Sequence, residues 1–118
     1  MNKILLTLCY ADGMEVIPLP QVDKYIIQSE INTQARIYKA LVSLEKYGKY
    51  LGMPVSKKIS SNLYELRIVA KVQIRIIYCF HGEYAYLLNI FIKKLLKIPK
   101  QELTTAKLRY KRLTQNKL

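Results

Sequence analysis

Lys57-Lys58, Arg67, Arg75 and Lys93-Lys94 are the side chains of this sequence best suited to chemistry, because spaced cations bind phosphate oxygens. Arg67 and Arg75 lie inside apolar runs that read as strands, and the lysine pairs bracket those runs. If the strands pair in order, side chains of one parity project to one face, so cations far apart in sequence converge on a single concave surface. That surface is the expected phosphate-binding site.

The parity argument is specific. In Leu63 to Ala70, Glu65, Arg67 and Val69 share one face, and Tyr64, Leu66, Ile68 and Ala70 take the other, toward the core. In the next run Gln73, Arg75, Ile77 and Cys79 oppose Val72, Ile74, Ile76, Tyr78 and Phe80. Parity places Tyr78 in the core. Each arginine can equally be read as part of a solvated sheet face, partnered by Glu65. Lys93, Lys94 and Lys97 also suit a charged strand end that resists edge-to-edge pairing, and Lys57 and Lys58 suit a solvated loop.

The elements that must position these residues follow from pattern. Ile4 to Tyr10 is rich in strand formers, and Asp12-Gly13 turns the chain back through Met14 to Ile17 as a first strand or hairpin. Beyond Pro18 and Pro20, Leu19, Val22, Tyr25, Ile26 and Ser29 recur at helical spacing. A longer helix is predicted over Thr33 to Tyr47, with Asn32 as N-cap, Ile37, Leu41 and Leu44 as its stripe, and Gly48 as its stop. Gly52, Pro54 and Ser56 to Lys58 mark a loop. Leu63 to Ala70, Val72 to Phe80 and Tyr84 to Ile92 form an antiparallel meander, with His81-Gly82-Glu83 as a turn. Pro99 opens a final basic helix with Leu103, Ala106, Tyr110 and Leu113 as its stripe.

Composition sets the class. At 118 residues and 51% hydrophobic content the chain encloses one core, so a single domain over residues 1–118 is expected. A formal charge of +12 favours a polyanionic partner, with nucleic acid first. The short apolar start lacks a signal-peptide cleavage site, and no run approaches the roughly 18 residues of a membrane span, so a cytoplasmic protein with no membrane partner is expected. Cys9 and Cys79 read as small strand hydrophobes. With one histidine, His81, in a turn, and eight scattered carboxylates, neither a metal nor another cofactor is expected.

The loop SKKI at Ser56 to Ile59, LYELR at Leu63 to Arg67, RIIYCF at Arg75 to Phe80 and FIKKLLKIP at Phe91 to Pro99 give a combination that closely resembles the RelE/HigB-like toxins of bacterial type II toxin–antitoxin systems, in particular their phage-derived HigB-like branch. The resemblance covers nearly the whole chain. It implies a small α+β, RelE/ParE-like domain with a mainly antiparallel sheet, two N-terminal helices and a C-terminal helix.

The resemblance also implies a ribosome-dependent mRNA endonuclease in which the RNA 2′-hydroxyl attacks the adjacent phosphate without a metal. Arginines suit the charged pentavalent transition state, with Arg67 first and Arg75 next. Clustered cations and partial burial would let Lys57, Lys58, Lys93 or Lys94 accept the 2′-hydroxyl proton while the others hold phosphates. Lys97 adds to the RNA contacts, and Phe91 reads either as a base-stacking ring or as core. The implied partners are mRNA, the ribosome and a cognate antitoxin, a HigA-like helix-turn-helix protein through which alone promoter DNA would be bound. Two alternatives stand beside this reading: a ParE-like inhibitor of DNA gyrase, and a noncatalytic basic RNA-binding module.

Overall fold

The computed structural model describes residues 14–94 and 96–115. The first half of the expected N-terminal hairpin, with Cys9, lies outside them. Its returning half is strand β1, Glu15–Pro18. Helix α1, Pro20–Gln28, starts with proline in its first turn, where a missing N–H costs nothing. Helix α2, Ile31–Tyr47, ends at Gly48, whose φ of 54° is a conformation glycine adopts readily.

Strands β3 (Tyr64–Val69), β4 (Gln73–His81) and β5 (Tyr84–Ile92) form the expected meander. Gly82, at φ 64°, makes the β4–β5 turn. Ser56–Lys58 corrects the sequence reading, because it is not a loop but a short edge strand, β2, antiparallel to β3. The sheet order is β1-β5-β4-β3-β2, with β1 parallel to β5 and the other pairs antiparallel. Helix α3, Lys100–Gln115, closes the described chain. The fold is therefore α+β, with N-terminal helices, a mixed, mostly antiparallel sheet and a C-terminal helix.

Strand alternation produces three layers. Leu66, Ile68, Ile74, Ile76, Tyr78 and Leu87 pack with Val22 and Ile26 of α1 and Ile37, Ala40 and Leu44 of α2. On the opposite face Ile77, Cys79, Leu88 and Phe91 pack with Leu103, Ala106, Tyr110 and Leu113 of α3, so the predicted α3 stripe is the buried one. Helix α2 begins two residues earlier than its sequence suggests: Glu30, not Asn32, occupies the N-cap position and makes no side-chain cap. The corner before it is held instead by Gln34, whose Nε2 donates to the carbonyls of Ile27 and Ser29.

A register shift between Ile77 and Tyr78 leaves Leu88 without a partner across β4 and β5. A bulge breaks strict alternation, so two successive residues can serve one face. Here Leu88 joins the core under α3, and Asn89 bonds to α3.

Tyr78 lies in the core with Tyr64 and Phe80 around its ring, and its hydroxyl meets Ser56 Oγ at 2.6 Å. Burial pushes the phenol up to about 12 and the Cys79 thiol up to about 11, against ordinary values of 10.0 and 9.0. The unfolded chain therefore ionises first. The stability held by the two neutral groups is complete below pH 9 and is lost as pH rises toward 11 for Cys79, and from 10 toward 12 for Tyr78. Urea unfolding should show this alkaline decline. At neutral pH, Tyr78→Phe should cost about 1 to 2 kcal/mol by leaving the buried Ser56 hydroxyl alone, and adding Ser56→Ala should cost less than the sum of the single changes.

Candidate nucleic-acid interface

The antiparallel register fixes the centre of the site. Arg67 pairs directly with Arg75, and Arg75 with Phe91 on the next strand. One step along, Lys57, Glu65, Ile77 and Asn89 form a second row across the same strands. Past the end of β5, the Lys93 N–H bonds to the Gln73 carbonyl, which carries the register on and gives Lys93 the parity of Phe91 and Arg75. Helix α3 packs mainly on β5 and β4, leaving Lys57 of β2 and Arg67 and the exposed Val69 of β3 on the other half of this face.

Two opposed arginines need a counter-charge, and Glu65 supplies it. Its side chain is 3% exposed; Oε1 accepts from Arg67 Nε at 3.2 Å, and Oε2 lies 3.6 Å from Arg75 Nε. The second pair is an ion pair beyond hydrogen-bond length, and both of its atoms are buried without a hydrogen-bond partner. Arg75 Nη1 also donates to Gln73 Oε1 and to the Ile74 carbonyl. Burial, opposed by Glu65 and reinforced by Arg67, lowers the Arg75 pKa from its usual value. Arg67 is more open, with its side chain 26% exposed. The triad carries one net positive charge, with Arg67 at its surface and Arg75 beneath.

The sequence-predicted residues separate by parity. Arg67, Arg75, Lys57 and Lys93 share the α3 face. Lys58 does not; it lies with Tyr64 on the face of α1 and α2, its Nζ 5.9 Å from the Tyr64 ring centre. Adjacent strand residues project to opposite faces, so the Lys57-Lys58 pair is split. Lys94 and Lys97 are exposed beyond the last strand, and of the four candidate proton acceptors only Lys93 has the expected partial burial. Phe91 is 5% exposed and packed in the core beneath α3, so the base-stacking reading gives way to the core one.

Sequence reasoning missed the polar anchor that docks α3. Asn89 Nδ2 donates to Glu102 Oε1 at 2.9 Å and to the Glu102 carbonyl, while its Oδ1 accepts from Arg109 Nη1. The same Arg109 nitrogen donates to the carbonyl of Leu88, the bulged residue, at 2.8 Å. Part of the positive charge of α3 is thus spent on holding the helix to the sheet. The signal was an asparagine within an otherwise apolar strand.

This layered fold and its cationic sheet face define a small basic α+β domain of the RelE/ParE type. The chain matches the family described as phage-derived protein Gp49-like (DUF891) over residues 24–111, and it belongs to that family, which lies within the RelE/HigB-like toxin group. No curated protein matches it. Among the described residues, no helix is long and apolar enough to cross a membrane.

Glu65→Ala should destabilise the fold by about 3 kcal/mol in urea unfolding, because it leaves the buried Arg75 without its counter-ion. Arg67→Ala, at the open edge of the triad, should cost about 1 to 2 kcal/mol.

Proposed function

We propose that this protein is the toxin of a type II toxin–antitoxin pair, a cytoplasmic endoribonuclease that cuts messenger RNA on the ribosome. Membership of the Gp49-like family supports the toxin reading. The observation that carries the nuclease reading is the Arg67–Arg75 pair, opposed across β3 and β4 around one buried carboxylate and flanked on the same face by Lys57 and Lys93.

In this mechanism Arg67 meets the non-bridging oxygens of the scissile phosphate. Its Nε is committed to Glu65, and its terminal nitrogens have no protein partner among the described residues, which leaves two nitrogens with four N–H donors for a phosphate. Arg75 holds Glu65 from below and adds positive potential. Lys93, the half-buried candidate, takes the proton from the 2′-hydroxyl while Lys57 holds the phosphate; the 2′-oxygen attacks phosphorus, the bond from phosphorus to the 5′-oxygen breaks, and the 5′-oxygen takes a proton from water. The products are a 2′,3′-cyclic phosphate and a 5′-hydroxyl end. Stabilising charge that grows in the transition state is work a fixed arginine does without a metal. Lys58, Lys94 and Lys97 hold more distant phosphates. The net charge of +12 supports RNA and an acidic surface of a HigA-like helix-turn-helix antitoxin as partners.

Pulse expression of the wild type and of Arg67→Ala, at equal abundance and with folding checked, tests this reading by mapping new 5′-hydroxyl ends. Cuts should fall in translated messages and drop at least about a hundredfold in the variant, the usual scale for losing one preorganised charge-stabilising donor. Growth arrest with DNA breaks and intact messages would replace the nuclease with a gyrase inhibitor; RNA binding with neither cuts nor arrest would leave a binding module. Binding to RNA should weaken by orders of magnitude over a few-fold rise in salt if roughly six or more phosphates are contacted.

A further inference from the structure

A cationic concavity lies around the edge of the sheet from the arginine face. It is a basin between the first turn of α2 and the β3–β4 turn, lined by Glu30, Asn32, Thr33, Arg36, Lys39 and Lys71 among others. Three cations face one carboxylate there. Glu30 reaches only Lys71, at 3.7 Å, and both side chains are mostly exposed, so solvent screens the pair.

Two independent observations point to an anion. The first is the uncapped start of a 17-residue helix: its first intrahelical bond runs from Gln34 N–H to the Glu30 carbonyl, so the N–H groups of Ile31, Asn32 and Thr33 have no acceptor within α2, and Glu30 supplies no side-chain cap. Such a terminus attracts negative charge. The second is Thr33, which lines the basin, is 9% exposed, and has a hydroxyl with no hydrogen-bond partner among the described residues. Its oxygen is not sealed off from the basin, which leaves the hydroxyl free to donate to an anion bound there. Arg36 links the walls by donating to the carbonyl of Val69, the last residue of β3, at 3.3 Å.

We propose that this basin is a phosphate subsite, occupied by a backbone phosphate of an RNA strand that crosses the β3–β4 turn from the arginine face. The topology favours that path. The turn joins β3 and β4 directly beyond the Val69–Gln73 pair, and Gln73 also bonds the start of the Lys93-Lys94 segment. The sheet end that carries the lysines therefore adjoins the basin. That the phosphate belongs to RNA rests on the proposed function; that the basin takes phosphate does not.

Amide NMR with inorganic phosphate, against chloride at matched ionic strength, tests the basin on the full chain. In the wild type and in Arg67→Ala, phosphate alone should shift the amides of Asn32, Thr33 and Gln34. The exposed pair of changes Lys39→Gln and Lys71→Gln should raise the dissociation constant about tenfold, and Thr33→Val should weaken binding while keeping side-chain shape; the spectra themselves report folding. Equal shifts with chloride, or shifts unchanged in the double variant, would overturn the subsite. A short 2′-O-methylated RNA, which cannot be cut by 2′-hydroxyl attack, tests the strand. In the double variant its salt slope should fall by about 0.7 for one lost phosphate contact. An unchanged slope would overturn the RNA path. If wild type cuts no message yet the phosphate shifts persist, the nuclease reading fails and the subsite stands.

Discussion

Everything on the polar face depends on one electrostatic constraint: antiparallel pairing sets Arg67 opposite Arg75, and like charges directly opposite each other repel. The fold tolerates this because Glu65, two residues before Arg67 and on the same face, places a buried carboxylate between them. Its desolvation is costly, and among the described residues the two guanidinium groups offset it. The triad therefore forms as a unit. Burial of the acid fixes the Nε side of Arg67, whose side chain stays 26% exposed.

That constraint explains the division of the face into two halves. An apolar helix laid over β3 would bury Arg67 and Lys57 as well as Glu65, with no further acid in their register rows to meet them. Helix α3 instead sits over β4 and β5, where Ile77, Cys79, Leu88 and Phe91 give it a core. The bulge at Leu88 makes this seat possible: it supplies an extra apolar residue and a carbonyl for Arg109, and it brings Asn89 to Glu102. Coverage of one half and openness of the other follow from the same strand register.

Much of this was legible in the sequence. The ELR segment at Glu65 to Arg67 and the alternation from Gln73 to Phe80 assign both arginines and the glutamate to one face, because a two-residue period is a local property. What was not legible is non-local or short. Ser56 to Lys58 has no apolar alternation, since a three-residue edge strand is specified by the neighbour it pairs with, so the parity that splits Lys57 from Lys58 could not be applied. The burial of Phe91 requires α3 to dock, and α3 docks through a bulge with no local signature. The start of α2 was misplaced because Gln34 reaches back across the corner in place of the side-chain cap that Asn32 suggested.

The chemistry of the triad also accounts for arginine rather than lysine at position 67. A lysine has one nitrogen, and pairing it with Glu65 would draw its whole charge down to the carboxylate. Arginine separates the two tasks along one planar group: Nε is held by the buried acid, and the terminal nitrogens, fixed in the same plane, keep N–H donors for a ligand. The carboxylate then does not cancel the site. It converts a flexible cation into an oriented one, at the loss of one positive charge shared between two arginines. For a ligand whose negative charge is spread over phosphate oxygens, orientation of the donors matters as much as their number, because only donors already aimed at the developing charge stabilise it without reorganising.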